Sequence, residues 1–276
     1  MEAREPPTAP GLSARDVTVS FGGITALDNV SVDVFRGEVL GVIGPNGAGK
    51  TTLFNVICGF VKPDSGALSW RGEAIGRLRP DRLAKLGIAR TLQGVGLFSR
   101  LTVLENVMVG AQRFRRAGLA SALVALPRSD RDERALADRA EAALEKVGCE
   151  GVGDRLPGTL PYAVQKRVAL ARALVSDPEL VLLDEPAGGL DAGELSDLAK
   201  LIDSLGHSLA VMLVDHHMDL VTSVCDRVVV LDFGRVIAAG APPEVRQNPR
   251  VLEAYLGQAA AEAGPATGNG GGDAGS

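Results

Sequence analysis

"GEVLGVIGPNGAGKTTLFNVICGF", Gly37 to Phe60, is the stretch on which the fold turns. Its opening, "GEVLGVIG" (37–44), is a near-continuous apolar run, as expected of a strand covered on both faces. A glycine-rich loop follows at once, and "TTLFNVICGF" (51–60) reads as a helix. Strand, loop and helix in that order open an α/β unit with a buried parallel strand. The loop itself, "GPNGAGKT" (44–51), matches G-x-x-x-x-G-K-[ST] in the flanking context that gives this pattern its meaning. The small residues among Gly44, Pro45, Asn46, Gly47, Ala48 and Gly49 let the backbone curl with successive N–H groups facing inward. The helix that follows adds positive potential at its N-terminus. Lys50 is expected to reach the terminal phosphates of a nucleotide, Thr51 to offer its hydroxyl to Mg²⁺, and Thr52 to complete the cradle.

A second apolar run, "PELVLLDEP" (178–186), delivers two carboxylates at a strand end. Asp184 is placed to hold Mg²⁺ through water, and Glu185 to polarise the water that attacks a γ-phosphate. Two more strand-like runs follow, "SLAVMLVDHH" (208–217) and "DRVVVLDFGRVI" (226–237). Ahead of the cradle, "VTVSF" and "VSVDVF" alternate polar and apolar residues around a Gly22-Gly23 turn, which predicts half-buried antiparallel strands. Residues from about 102 to 147 are helical by pattern and rich in Arg, Asp, Glu and Ala. The expected fold is therefore α/β: a P-loop NTPase (RecA-like) core, with an antiparallel β subdomain and an α-helical subdomain inserted over about 94–165. Residues 11–258 form the expected domain, and the Pro/Gly-rich ends, 1–10 and 259–276, are read as disordered tails.

Bulk properties exclude several classes. Net charge is -5 and no Lys/Arg run is long enough for a nucleic-acid footprint, so phosphate affinity has to come from a local site. Cys58, Cys149 and Cys225 are widely spaced among apolar residues, as core thiols of a reducing compartment would be. "MEAREPPTAPG" has no apolar h-region, and "GLASALVALP" (118–127) falls well short of the roughly 20 residues of a spanning helix. The expectation is a soluble chain that meets a membrane only through a partner.

The cradle, "LVLLDEP", "GGLD" (188–191) and "LVDHH" (213–217) together resemble the nucleotide-binding subunits of ABC transporters. Within that superfamily, "ARTLQGVGLFSRLTVLENVMVGAQ" (89–112), the long insert after it and "AYLG" (254–257) are similar to the ATPases of branched-chain amino acid importers. The resemblance implies a role for several residues. Phe21 stacks on adenine, and Gln93 contacts Mg²⁺ and water and links to the transmembrane partner. His216 touches the γ-phosphate, and Asp191 lies in the loop that meets a second subunit. Neighbouring His217, like His207, is expected to face solvent.

It also assigns "TLPYAVQKRVALARAL" (159–174) to the signature helix, whose N-terminus covers the nucleotide of a neighbouring subunit. That accounts for a helix start without a capping side chain, since the ligand supplies the caps. The family's common form is Leu-Ser-Gly-Gly-Gln, whereas this chain has Leu160-Pro161-Tyr162-Ala163-Val164. If position 163 requires positive φ, its alanine costs roughly 1–2 kcal/mol and the site it covers is the weaker of a pair. If it is helical, alanine costs nothing. Asp215 likewise stands where Glu is more usual.

The resemblance implies an ATP-binding and hydrolysing subunit that energises uptake of branched-chain or related amino acids, with ATP and Mg²⁺ as cofactors. Its implied partners are a second ATPase subunit, a paralogue, two transmembrane permease subunits and, through the complex, an extracytoplasmic solute-binding protein. The chain would then sit peripherally on the cytoplasmic face of the membrane. Alternatives are the same ATPase serving urea, amides or lipid-linked material, a soluble non-transport ABC ATPase, and a regulatory subunit that does not hydrolyse.

Overall fold

The computed structural model describes residues 9, 11–76, 78–91, 94–114 and 127–262. Gln93, nearly all of the expected N-terminal tail and residues 263–276 lie outside the described residues. The apolar runs form the centre of a six-stranded sheet, ordered β10-β9-β3-β8-β7-β6. These strands are β3 (Val39–Ile43), β6 (Ile88–Arg90), β7 (Leu180–Asp184), β8 (Ala210–Val214), β9 (Arg227–Asp232) and β10 (Arg235–Gly240). All pairings are parallel except that of edge strand β10 with β9. Every residue of β3, β7 and β8 is buried, because alternate side chains enter two different cores.

One face carries Leu40, Val42, Leu180, Leu182 and Met212. It is covered by helix α1 (Lys50–Ile57) and by a four-stranded antiparallel sheet ordered β2-β1-β4-β5. That sheet comprises β1 (Leu12–Phe21), β2 (Ile24–Val34), β4 (Ser65–Trp70) and β5 (Glu73–Ile75). The other face, with Val39, Ile43, Val181, Leu183, Val211 and Leu213, packs against helices. In chain order after α1, the helices are α2 (Leu83–Leu86), α3 (Val103–Gly110), α4 (Pro127–Lys146), α5 (Tyr162–Leu174), α6 (Ala192–Gly206), α7 (Met218–Val224), α8 (Pro242–Arg246) and α9 (Pro249–Glu262). No helix among the described residues is long and apolar enough to cross a membrane.

The register sets up the site. Asp184 pairs with Val214 and Val42 pairs with Val214, so β7, β8 and β3 end together. Gly44, Glu185 and Asp215, which follow these strands, thus emerge along one sheet edge, the usual ligand-binding edge of open parallel sheets.

Three local readings change. "DRVVVLDFGRVI" is a hairpin rather than one strand, turning at Phe233 and Gly234, both with positive φ (41° and 75°). Strands β4, β5 and β6 are additional, and α9 continues to Glu262, past the expected domain end at 258. The cysteines are free and buried as expected, and burial pushes the Cys58 thiol up to about 11, which keeps it protonated and inert.

Helix α3 starts with a capping box in which the Glu105 N–H donates to Thr102 Oγ1 (3.2 Å) and the Thr102 N–H to Glu105 Oε2 (2.7 Å). Its end crosses α5 so closely that a Cβ at Gly110 would collide with the Arg172 carbonyl oxygen. We expect Gly110→Ala to destabilise the protein by about 1–3 kcal/mol through this backbone clash. Urea unfolding followed by circular dichroism checks it; an unchanged midpoint would show that the crossing can open at no cost.

Candidate nucleotide site

The loop leaves β3 at Gly44 with φ 147°, and a Cβ there would collide with the Leu231 carbonyl oxygen. It re-enters helix at Gly49 with φ 101°, where a Cβ would sit 2.5 Å from the Ala26 carbonyl oxygen. Only glycine fits either position. Gly49 caps α1 without a side-chain hydrogen bond, so the first N–H groups of that helix are left for a ligand. The Lys50 ammonium folds along the loop and donates to the Gly44 and Pro45 carbonyls at 2.7 and 2.8 Å. Burial lowers its pKa, and the nearby Glu185 carboxylate opposes that shift. Thr51 is exposed on the first turn and Thr52 is half-buried beside it.

Asp184 ends β7 with 5% of its surface exposed. Its Oδ2 accepts from Arg90 Nη2 at 2.8 Å, and its own N–H donates to Thr91 Oγ1 at 3.3 Å. Glu185 follows with φ 47°, rare for a residue with a side chain, and its N–H donates to the Val214 carbonyl at 2.8 Å. Lys166 Nζ, from α5, donates to the carbonyls of Glu185 (3.2 Å) and Pro186 (2.8 Å). Burial lowers the Lys166 pKa, opposed by the charges of Asp215 and Glu185.

Asp215 is fully buried, and its Oδ2 accepts from the Ala187 N–H at 2.9 Å. Its Oδ1 accepts from the His217 N–H at 2.9 Å and lies 2.6 Å from His217 Nδ1. His217 is therefore not the solvent-facing residue expected: the buried carboxylate fixes its ring. His216 is the more exposed of the two, 58% against 36%, with ring centroids 4.2 Å apart. His207 is at the surface, as expected.

The remaining candidates are spread around this edge. Phe21 is half exposed at the tip of the β1–β2 hairpin. Asp191 caps α6, its Oδ1 accepting from the Glu194 N–H at 2.8 Å. Pro161 precedes α5 with no side-chain cap, so the sequence reading of that helix start holds. Tyr162 begins the helix, with Lys166 Nζ 5.4 Å from its ring centroid. Ala163 lies inside α5 and is not among the residues with positive φ. The expected weakness of this signature thus loses its physical basis, because a helical alanine carries no strain. Gln93 lies outside the described residues.

Thr51 and Asp184 supply only oxygen donors, the set a hard cation such as Mg²⁺ takes. Two contributors escaped sequence reasoning. Lys166 shows only as one cation among several on its helix, although it stands four residues after Tyr162 on the same face. Arg90 ends a three-residue strand too short to register as one.

A family model described as "ABC transporter" matches residues 27–188, and one described as "Branched-chain amino acid ATP-binding cassette transporter" matches 235–261. The chain belongs to the ABC transporter ATP-binding family. This ABC ATPase is 39% identical over 252 residues to the high-affinity branched-chain amino acid transport ATP-binding protein LivG of Escherichia coli K12, covering 91% of this chain and 99% of LivG. The corresponding protein BraF of Pseudomonas aeruginosa matches at the same identity and coverage. The lipopolysaccharide export ATP-binding protein LptB of Haemophilus influenzae is 33% identical over 90% of this chain and 97% of its own. Among solved structures, the ADP conformation of MJ1267, an ATP-binding cassette of an ABC transporter, superposes with a TM-score of 0.79 at 32% identity, covering 91% of this chain and all of that one. The dimeric post-hydrolysis cassette MJ0796, bound to ADP and Pi, gives 0.69 at 26% identity over 84% and 98%. The fold is that of a P-loop NTPase, and the chain is an ATP-binding, ATP-hydrolysing transporter subunit.

The helical setting of Ala163 has a measurable consequence. Ala163→Gly should leave the hydrolysis rate no higher and cost the helix about 0.5–1 kcal/mol. Steady-state ATPase rates with a thermal melt check both; faster hydrolysis than the parent would restore the positive-φ reading.

Proposed function

We propose that this ABC ATPase energises an importer of branched-chain or related amino acids. The observation that carries the proposal is the double likeness: LivG and BraF match over nearly the whole chain, and the 235–261 segment separately matches the branched-chain model. A lipid-export cargo has the 33% identity to LptB in its favour, and the C-terminal match weighs against it.

In this reading two ATPase subunits, this chain and a paralogue, close head to tail. The start of α5, at Pro161, Tyr162 and Ala163, covers the nucleotide held in the cradle of the other subunit. Within this chain, the amides of residues 46–52 bind the phosphates, Lys50 draws toward the terminal ones, and Phe21 stacks on the base. Thr51, Asp184 and Gln93 would hold Mg²⁺, which, when bound, neutralises charge on the β- and γ-phosphates. Glu185 orients and polarises the attacking water, and His216 donates a hydrogen bond to the γ-phosphate. Two permease subunits dock beside Gln93 and the helical insert, and a solute-binding protein outside the membrane delivers the amino acid. The ATPase works at the cytoplasmic face without entering the bilayer.

Glu185→Gln keeps the side chain's size and removes its basicity. Hydrolysis should fall by about 10²-fold or more while ATP binding persists, so the variant accumulates as an ATP-bound dimer on size-exclusion chromatography. Unchanged turnover would show that another group polarises the water. For cargo, the complex co-purified with its permeases and receptor should hydrolyse ATP faster in proteoliposomes when leucine is supplied; stimulation by a lipid-linked glycan alone would transfer it to the export reading.

A further inference from the structure

We propose that Arg90 is a positioning residue for the metal-side carboxylate: it clamps Asp184 from behind and ties it to the helix that carries the phosphate cradle. This rests on the reading that Asp184 serves Mg²⁺. Arg90 is the last residue of β6, and its side chain is 14% exposed against 4% for Asp184. Nη2 donates to Asp184 Oδ2 at 2.8 Å, while Nη1 donates to Asn55 Oδ1 at 3.1 Å. Asn55 belongs to α1, the helix that begins with Lys50 and Thr51. One guanidinium thus joins the ends of two strands to the cradle helix.

The plane of the fork is also held. The Arg90 guanidinium carbon lies 5.9 Å from the Phe54 ring centroid and 5.4 Å from that of Phe60. Arginine alone among the cations offers two donors in a fixed plane, which is what splitting one side chain between a carboxylate and an amide requires. The strand end behind it is stitched to β7 as well, with the Thr91 N–H donating to the Leu182 carbonyl at 2.9 Å.

As a stabiliser the arrangement is poor. Among the described residues, Arg90 Nε is buried with no hydrogen-bond partner, and a buried ion pair gains little over apolar packing of the same volume. What it does supply is orientation. The arginine engages one carboxylate oxygen, Oδ2, so the pair would persist while the carboxylate holds a bound Mg²⁺. Without the arginine, a nearly buried carboxylate loses the cation paired with it and the donor that fixes its Oδ2.

The test separates metal from nucleotide. In the full-length protein, Arg90→Gln should raise the Mg²⁺ concentration for half-maximal hydrolysis by about tenfold or more, as loss of an outer-shell partner of a metal ligand does. ATP affinity measured calorimetrically in EDTA should match the parent, and Mn²⁺ binding to the ATP complex, read by electron paramagnetic resonance, should weaken in parallel with the Mg²⁺ requirement. Asn55→Ala, which frees one prong and keeps the ion pair, should shift both metal readouts in the same direction by less. If Arg90→Gln does not fold, Arg90→Lys and Asn55→Ala carry the test with the same expected direction. A folded variant set with unmoved or tighter metal binding overturns the proposal, because the arginine would then only brace the fold or compete with the cation. Hydrolysis by the parent without any divalent cation would instead sink the reading of Asp184 itself.

Discussion

Close backbone approach around the phosphate loop is the constraint on which the architecture depends. Gly44 lies against the Leu231 carbonyl and Gly49 against that of Ala26, so the loop is pressed between β9 and β2 with no room for a Cβ at either end. The Gly234 N–H donates to the Ala48 carbonyl at 3.1 Å, and the Asp28 N–H to the Gly234 carbonyl at 2.8 Å. These bonds lock the edge hairpin, the antiparallel sheet and the loop into one body. Curling the loop costs backbone entropy that glycine loses more than any other residue. Burial of Leu53, Phe54 and Ile57, each 0% exposed, offsets this by about 1.5–3 kcal/mol per side chain, and it happens on the helix that the loop launches.

The parts of this molecule that were readable from sequence are those where one physical demand dominates locally. β3, β7 and β8 are apolar at every position except the terminal Asp184 of β7, because both faces are covered, and the cradle must be small at fixed spacing because amides, not side chains, line it. Strands β4, β5 and β6 were not readable: "SGALSW", "EAI" and "IAR" are short, half exposed and carry no clear alternation. The β9–β10 turn was hidden by Phe233, a residue that supplies no turn chemistry and still takes a φ of 41°.

Within the site, pairings between distant residues were the least legible. Arg90 and Asp184 are separated by 94 positions, and nothing local to either indicates the other. The two adjacent histidines show the same limit at short range. Sequence places His216 and His217 side by side, and only the depth of Asp215 decides which ring it holds. At position 163 the sequence posed the question correctly but could not supply a dihedral angle.

Glu185 is where local strain and proposed chemistry meet. A left-handed conformation costs a residue with a side chain roughly 1–2 kcal/mol, so it persists only where neighbours over-determine it. Here three elements do so: β8 through the Val214 carbonyl, the buried Asp215 through the Ala187 N–H, and α5 through Lys166 on two successive carbonyls. The last of these gives the signature helix two tasks. In the proposed dimer its first turn faces the partner's nucleotide, while Lys166, one turn along, fixes the peptide that carries Glu185, the carboxylate proposed to polarise this chain's own water. Movement of α5 on closure would therefore bear on both sites at once, through a contact that needs no relay beyond a single side chain.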